Sequence, residues 1–241
     1  MNSKKVNRII SLNLRHGGGS KISQLTDWLV SKSPSAVIAT EWRNNTAGQI
    51  IRNRLTLYGL ESIFSTPVGS QKNTVLIAAR RLTRSASVTP PNSARGDLVS
   101  ILLEGGVSIV GCYFPQGLAK APFFHRCIEI AKEHVQVPLV IVGDLNTGRN
   151  DLDIEGKGAP FDCADLFVGL NKVAGLVDLW RARHGDRQDW TWRSSKYGFR
   201  VDHAFGNNAF MERFPNFRCD IDHEPFLKKL TDHSAIIIDL E

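Results

Sequence analysis

The fold is decided where the chain reads Val140-Ile141-Val142-Gly143-Asp144-Leu145-Asn146. An apolar run typical of a strand ends on a glycine, and a carboxylate and a carboxamide follow at alternate positions. Side chains at i and i+2 of an extended chain point the same way, so Asp144 and Asn146 should emerge together at the end of a buried strand. Such a pair can hold a water and a phosphate oxygen side by side. The alternative is an ordinary turn, because Asp and Asn are common turn residues after a strand.

Similar short runs of β-forming residues recur along the chain. They cover residues 6–14, 36–40, 74–78, 98–103, 107–113, 139–142, 201–205 and 235–240. Between them, apolar residues recur at helical spacing around Leu25 and Leu29, and again around Phe124 and Ile128. The Gly105-Gly106 pair predicts a hairpin turn between two strands. Strands interleaved with helices and hairpins predict an α/β or mixed architecture.

The length and composition are those of a globular chain. With 241 residues, 42% of them hydrophobic and 22% charged, the chain can form one large domain or two small ones. It has no internal repeat and no low-complexity linker, so we expect a single domain over residues 1–241. Residues 85–95 and 150–162 are rich in turn-forming residues and are predicted to be loops.

The charge and the cysteines limit the partners and the compartment. A net charge of +6 favours a polyanion such as nucleic acid, and a basic surface without such a partner explains it equally well. No segment approaches the ~20 apolar residues of a membrane span, and the N-terminal stretch does not fit a signal peptide. The four cysteines are scattered without a CxxC pair, which indicates neither a zinc site nor a disulfide framework. We therefore expect a reduced, cytoplasmic protein without a membrane partner.

Polar side chains also stand at the ends of the other predicted strands. Each of them has an ordinary explanation by itself, since a terminal Glu is usually solvated and an Asp-His dipeptide before a strand is usually a capped turn. Open α/β sheets place ligand groups at their strand ends, so together these residues predict one site. They are Asn13, Arg15, Glu41, Tyr113, Asp202, Asp232 and His233.

The order of these motifs resembles the endonuclease/exonuclease/phosphatase superfamily of metal-dependent phosphodiesterases, and within it the exonuclease III class of apurinic/apyrimidinic endonucleases. The likeness runs from residue 6 to the C-terminus. It rests on Tyr113-Phe114-Pro115-Gln116-Gly117, Gly143-Asp144-Leu145-Asn146, Asp151-Leu152-Asp153-Ile154, Gly175-Leu176-Val177-Asp178, Trp190-Thr191-Trp192-Arg193, Arg200-Val201-Asp202 and Asp232-His233. The tyrosine motif narrows it, since relatives acting on inositol phosphates or sphingomyelin usually carry a histidine there. The fold implied is a four-layer α/β sandwich (α+β type) with two packed mixed sheets flanked by helices.

The resemblance also implies a reaction, the hydrolysis of a DNA phosphodiester with Mg²⁺ or Mn²⁺. Asp144 would orient and deprotonate the attacking water, and Asn146 would hold that water or a phosphate oxygen. His233 would contact the scissile phosphate, while Asp202 would hold its imidazole in one tautomer and keep it cationic. Tyr113 would donate to the phosphate or help the leaving group.

The metal site implied by the resemblance centres on Glu41. Mg²⁺ prefers few carboxylates plus waters, so Glu41 would be the best single ligand, with Asn13 supporting it and Asp232 sharing the site. Close relatives carry Asn or Asp where this chain has Arg15. An arginine cannot bind a cation, and Arg15 would bind phosphate instead.

Three more residues are expected to contact the substrate beside Arg15, namely Gln116, Trp192 and Phe199. Trp192 falls where the resembled class has an aromatic that receives a flipped-out sugar, and Phe199 is a second candidate. The alternative is that Trp190 or Trp192 belongs to the core, as alternation would require of at least one. The same alternation in the strand at 201–205 places Arg200 on the face of Asp202, and it turns the neighbouring histidine away from the site.

The substrate expected from the resemblance is duplex DNA with a lesion or a 3′ end, bound by a monomer. Two features depart from the class: Trp42 follows Glu41 where Thr is usual, and the segment between Trp192 and Arg200 is short. The alternatives are a phosphatase or phosphodiesterase of the same superfamily acting on a small-molecule or lipid phosphate, a non-specific nuclease, and a non-enzymatic binding protein.

Overall fold

Two six-stranded sheets and seven α-helices make up the computed structural model, which describes residues 8–241. The strands are β1 (Arg8–Asn13), β2 (Ala36–Trp42), β3 (Ser62–Ser65), β4 (Thr74–Ala79), β5 (Leu82–Ser87), β6 (Asp97–Leu103), β7 (Ser108–Tyr113), β8 (Leu139–Asp144), β9 (Val177–Asp178), β10 (Trp192–Arg193), β11 (Gly198–Phe199), β12 (Asp202–Gly206), β13 (Arg218–Asp222) and β14 (Ala235–Asp239). The helices are α1 (Ile22–Ser31), α2 (Thr46–Tyr58), α3 (Ala121–Glu133), α4 (Ala164–Ala174), α5 (Leu179–His184), α6 (Asn208–Arg213) and α7 (Glu224–Leu227).

Both large sheets are mixed. The first has the strand order β13-β14-β1-β2-β4-β3 and the second β5-β6-β7-β8-β12-β9, while β10 and β11 form a separate two-stranded ribbon. Each large sheet contains one parallel pair, β1 with β2 and β7 with β8, and its other pairs are antiparallel. The carboxyl ends of each parallel pair therefore lie at one edge of its sheet, where turns leave side chains free for a site.

The sheets pack face to face, and helices cover their outer faces. One buried cluster joins Ile38 of the first sheet to Ile109 and Val140 of the second. The other face of the first sheet packs against α1 and α2, and the other face of the second packs against α3 and α4. The order is thus helices, sheet, sheet, helices, which confirms the predicted four-layer sandwich. All six residues of β8 are buried, as expected for a strand covered on both faces.

Most predicted elements are present, with shifted ends. The hairpin turn is confirmed, since the Gly106 N–H donates to the Leu103 carbonyl at 2.8 Å between the antiparallel strands β6 and β7. The first two residues of the predicted strand 6–14 lie outside the described residues. Strand β5 was not predicted, and it extends into the loop expected at 85–95. Four of its six side chains are exposed, so it lacks the apolar alternation that marks a strand.

Two observations bear on compartment and membrane. Each of the four cysteines is a free thiol. None of the helices within residues 8–241 is both long enough and apolar enough to pass through a membrane.

Candidate active site

The two sheets meet at one end through a hydrogen bond between strand termini. Asn13 is the last residue of β1, and Asp144 is the last residue of β8. The Asn13 Nδ2 donates to the Asp144 Oδ2 at 2.9 Å, and to the Glu41 Oε1 in β2 at 3.3 Å. Tyr113 ends β7 beside them. The carboxyl ends of both parallel pairs therefore converge on one cluster of polar side chains.

Asp144 and Asn146 do come together, but across a turn. Strand β8 stops at Asp144, and Asn146 takes the left-handed conformation with φ of 50°. The backbone N–H of Asn146 donates to the Asp144 Oδ1 at 2.9 Å, and its side-chain Nδ2 donates to the Phe114 carbonyl at 2.8 Å. The expectation of an extended chain through this pair is wrong. The turn itself holds the Asp144 carboxylate in place.

Asp202 and His233 form a buried pair next to Asp144. Strand β12 runs antiparallel to β8 and sets Asp202 directly opposite Asp144. The His233 Nδ1 donates to the Asp202 Oδ2 at 2.7 Å. Ligand atoms of these three side chains lie within 4.8 Å of one another, and all three side chains are buried. Asp202 thus holds the Nδ1 side of the His233 ring and leaves the Nε2 side for a ligand.

Burial and mutual charge move the two pKa values in this cluster. Burial, and then the negative charge of Asp202, raise the pKa of Asp144 to about 7. Burial alone would lower the pKa of His233, but the Asp202 carboxylate outweighs it and raises that pKa to about 9. At neutral pH the cluster thus contains an imidazolium beside a carboxylate that can take up a proton.

Glu41 is held by the loop that follows β1. Its Oε2 accepts the backbone N–H of His16 at 2.7 Å, while the backbone N–H of Arg15 donates to the Asn13 Oδ1 at 2.8 Å. Arg15, His16 and Glu41 all have φ between 52° and 53°, a conformation that costs energy for residues other than glycine and is found at functional sites.

The donor set at this point fits a hard divalent cation. The carboxylates of Glu41 and Asp144 face the same Asn13 amide, and carboxylate oxygens with water are what Mg²⁺ prefers. Burial is the main cause of the raised pKa of Asp144, the charges of Asp202 and Glu41 add to it, and a bound cation would favour the carboxylate form.

Tyr113 closes the cluster on the side of β7. Its hydroxyl accepts from the Asn73 Nδ2 at 3.3 Å, and its side chain is half-buried. Burial and the charge of Glu41 raise its pKa to about 12. The phenol therefore stays protonated, and able to donate, across the neutral range.

Basic side chains form the exposed rim beside Glu41. Arg15 is exposed, and its Nε lies 3.6 Å from the Asp232 Oδ2. The Arg43 Nη2 lies 3.1 Å from the His16 Nδ1, and the Arg43 Nε donates to the Asn73 Oδ1 at 2.6 Å. No role was predicted for Arg43 or Asn73. In the sequence, Arg43 follows the end of one predicted strand and Asn73 comes just before the start of another.

Aromatic rings form a wall next to His233. Trp192 in β10 lies across from Phe199 in β11 with ring centroids 5.8 Å apart, and a backbone bridge joins Trp192 to His233. Trp190 stacks on His223 at 4.4 Å. Both tryptophans are half-buried, so the expectation that one of them is core is wrong.

Gln116 differs from the aromatics in its surroundings. It lies at the start of the 3₁₀ helix Gly117–Lys120, and its side chain is exposed. Within residues 8–241, no hydrogen bond joins the Gln116 side chain to the cluster, so its contact with substrate stays a prediction.

Solved structures of three proteins share this architecture over nearly the whole chain. A 3′ phosphatase, NExo, from Neisseria bound to product DNA hairpin is 18% identical, with a TM-score of 0.80 and coverage of 98% of this chain and 99% of that one. An AP endonuclease from Archaeoglobus fulgidus is 17% identical, with a TM-score of 0.79 and coverage of 98% and 99%. An endonuclease/exonuclease/phosphatase from Beutenbergia cavernae is 16% identical, with a TM-score of 0.69 and coverage of 98% and 71%.

The chain has the endonuclease/exonuclease/phosphatase fold. No protein-family model matches the sequence, and a search of curated proteins finds no match. At these identities the structural likeness establishes the fold, and the chemistry must be argued from the side chains themselves.

Behind the cluster, this fold buries a second charged network that sequence reasoning missed. The fully buried Arg200 donates from Nε to the Asp153 Oδ1 at 2.8 Å and from Nη2 to the Asp178 Oδ2 at 2.7 Å. Arg181 also pairs with Asp153. Asp153, Asp178 and Arg200 lie in segments that carry the family resemblance, whereas Arg181 does not. The motifs therefore identified these three residues but did not indicate that they contact one another.

Alternation along β12 holds only in part. His203 turns away from the cluster as predicted, and its Nε2 donates to the Thr147 carbonyl at 2.7 Å. Burial and the charge of Arg200 lower the pKa of His203 to about 4, which keeps it neutral. The expectation that Arg200 shares the face of Asp202 is wrong, because β12 begins at Asp202 and the chain before it is not part of the strand.

Lys120 is another residue that the sequence did not reveal. Its side chain is 2% exposed, and its Nζ donates to the Asn146 carbonyl at 2.5 Å. Burial lowers its pKa. This lysine supports the turn that holds Asp144, and it follows the Tyr113 motif on a short 3₁₀ helix that has no periodic pattern of its own.

Proposed function

We propose that the chain is a metal-dependent phosphodiesterase that hydrolyses DNA, acting at abasic sites, as a 3′-exonuclease, or both. The observation that carries the proposal is the buried Asp202–His233 pair beside Asp144. Its imidazolium and the proton-accepting carboxylate are the two charges that attack of water on a phosphodiester requires. We propose further that residues 1–241 act as one catalytic domain, as a monomer in the cytoplasm.

In this reaction Asp144 accepts a proton from the attacking water, and Asn146 orients that water or a phosphate oxygen. His233 donates to the scissile phosphate and offsets its charge, while Asp202 keeps the imidazole cationic and correctly turned. Tyr113 donates its phenolic proton to the phosphate or to the leaving oxygen. Displacement is direct, without a covalent intermediate.

Glu41 and Asn13 are proposed to hold the metal. A bound Mg²⁺ or Mn²⁺ supplies charge neutralisation of the phosphate at this point. Asn13 would act mainly by fixing Glu41, because its Oδ1 already accepts from the Arg15 N–H and its Nδ2 faces the two carboxylates.

Three features support DNA as the substrate. The net charge is +6, and Arg15 and Arg43 stand at the rim of the cluster. Trp192 and Phe199 offer ring faces next to His233, where an unstacked sugar or base can lie. Two solved structures of the same fold are named as a 3′ phosphatase bound to DNA and an AP endonuclease.

The test is a panel of DNA substrates incubated with the purified protein. The panel holds a duplex with an abasic-site analogue, a recessed 3′ end, a 3′-phosphate end and an intact duplex, each with Mg²⁺, with Mn²⁺ or with EDTA. We expect cleavage at the abasic analogue or loss of 3′ nucleotides with either metal, and none with EDTA. Hydrolysis of an inositol phosphate or a phospholipid without cleavage of any DNA would refute the proposal and favour the small-molecule or lipid alternative.

A further inference from the structure

The loop after β1 presents Arg15 in a fixed and unusual conformation. Residues 15–19 all have positive φ, with values of 53°, 52°, 85°, 78° and 47°. Two of them are not glycine, and both use their backbone N–H to bind the cluster, Arg15 to Asn13 and His16 to Glu41. The backbone of Arg15 is therefore tied to the same side chains that are proposed to hold the metal.

The Arg15 guanidinium is oriented by one carboxylate. Its Nε lies 3.6 Å from the Asp232 Oδ2, and 64% of its side chain is exposed. The structure shows no other ion pair or hydrogen bond of this side chain within residues 8–241. A guanidinium has five N–H donors, so the outer edge of Arg15 is free to bind two oxygens of a phosphate.

The carboxylates around the cluster thus differ in their partners. Asp232 faces a permanent cation, whereas Glu41 accepts from the amides of Asn13 and of the His16 backbone and lies 3.1 Å from the His16 Nδ1. A divalent ion at Asp232 would lie next to the guanidinium and be repelled by it. Within residues 8–241, no guanidinium is paired with Glu41, whose nearest basic side chain is the imidazole of His16.

We propose that Arg15, oriented by Asp232, binds a phosphate of the substrate, and that the metal is held at Glu41 and not at Asp232. The proposal rests on the proposed function, because the phosphate in question belongs to the same substrate. Asp232 then acts as a positioning residue for Arg15 and does not bind metal. Arg15 contacts the phosphate itself, and it does so whether or not a metal is bound.

Two measurements test the proposal. The first is the binding of Mn²⁺ alone, followed by its electron paramagnetic resonance signal. The second is the affinity for a short duplex in EDTA, measured by fluorescence anisotropy over a range of salt concentrations. The variants are Arg15→Ala, Arg15→Asp and Asp232→Asn, and the charge-matched control is Arg84→Ala, an exposed residue of the outer strand β5. Arg15 and Asp232 are both partly exposed, and circular dichroism checks that each variant folds.

We expect the wild-type protein to bind one Mn²⁺ and Asp232→Asn to bind it with unchanged affinity. Arg15→Ala should lower DNA affinity in EDTA about tenfold. It should also reduce, by about 1, the slope of the logarithm of the binding constant against the logarithm of the salt concentration. Asp232→Asn should lower DNA affinity about twofold to fivefold, as expected for loss of an exposed pair. Arg15→Asp should bind a second Mn²⁺, and Arg84→Ala should match the wild type in Mn²⁺ binding.

Other results overturn the proposal. Two Mn²⁺ ions in the wild type, or a loss of Mn²⁺ affinity of about tenfold or more in Asp232→Asn, would show that Asp232 is a metal ligand. Unchanged DNA affinity in Arg15→Ala, or a loss no greater than in Arg84→Ala, would show that Arg15 does not bind phosphate. The Mn²⁺ titration needs no substrate, so it decides the role of Asp232 even if the protein cleaves no DNA and the proposed function fails.

Discussion

Strand β12 separates two buried charged networks of similar composition and opposite character. Behind it, Arg200 and Arg181 face Asp153 and Asp178, and the charges balance. Burial alone would raise the pKa of Asp153, but the charge of Arg200 outweighs it and lowers that pKa to about 2.

At the end of the strand the balance is different. One imidazolium, on His233, faces the carboxylates of Asp202 and Asp144, the Asn13 amide joins Asp144 to Glu41, and burial raises the pKa of Asp144 to about 7. The comparison teaches that a balanced buried network holds the fold together, whereas an unbalanced one is short of the positive charge that a metal would bring.

The largest effect is expected for Asp144→Asn, which removes the excess charge. DNA cleavage should fall about 10²–10⁴-fold, because amides cannot accept the proton of water. The metal-free protein should become more stable at pH 8 by about 1–2 kcal/mol, or about 2–8 °C in Tm. The sign follows from the linkage between protonation and folding. The pKa of Asp144 in the folded state lies above the usual 3.8, so the folded state binds more protons than the unfolded state between pH 3.8 and 7. The folded state therefore loses stability as pH rises through that window. Thermal melts at pH 5 and pH 8 check it, and a variant less stable than wild type at pH 8 would contradict the imbalance.

Arg200→Met breaks the balanced network and should act in the opposite way. It leaves the buried Asp178 without its guanidinium partner and Asp153 with Arg181 alone, so the free energy of unfolding should fall by about 3–5 kcal/mol. That corresponds to a drop in Tm of about 6–20 °C. Urea denaturation measures it, with Arg84→Met as the exposed control. A loss no larger than in the control would mean that the network does not stabilise the fold.

Asp202→Asn tests the Asp202–His233 pair of the candidate site, at the start of β12. Without this carboxylate the pKa of His233 should fall from about 9 towards neutrality or below, because burial then dominates. In the wild type the pair stabilises the fold fully below pH 6.5, and this contribution is lost as pH rises through about 9. Cleavage at pH 8 should drop about 10–100-fold, with the alkaline limb of the pH–rate profile moved to lower pH. An NMR titration of the His233 ring protons that leaves the pKa unchanged would rule out this role for Asp202.

Glu41→Gln is expected to have the smallest effect, because the amide keeps one oxygen ligand. The Mg²⁺ concentration needed for half-maximal cleavage should rise about tenfold, while cleavage at saturating Mg²⁺ should recover in part. The measurement is a Mg²⁺ titration of the cleavage rate. Asp144→Asn should not be rescued by metal in the same assay, and this difference would separate the ligand from the base. An unchanged Mg²⁺ requirement would remove Glu41 from the metal site.

Short-range patterns in the sequence predicted many of the strands and helices. The apolar runs that end in Gly143 and Tyr113 marked buried strands, and the helical spacing around Leu25 marked α1. Strand β5 and the turn at Asn146 escaped prediction, because exposed side chains have no periodicity and a left-handed residue leaves no pattern in its neighbours.

By itself, the sequence predicted most strands and helices and the residue types at the strand ends, since these depend on periodicity within a few residues, while the four layers were implied by the family resemblance. Only the tertiary structure decided which of those residues meet. Asn13 and Asp144 are 131 positions apart and touch because the two sheets face each other, and Asp202 reaches His233 across 31 positions for the same reason. Whether a buried charge is balanced depends on such long-range contacts, and so the difference between Arg200 in its network and Asp144 in the candidate site became visible only in the folded chain.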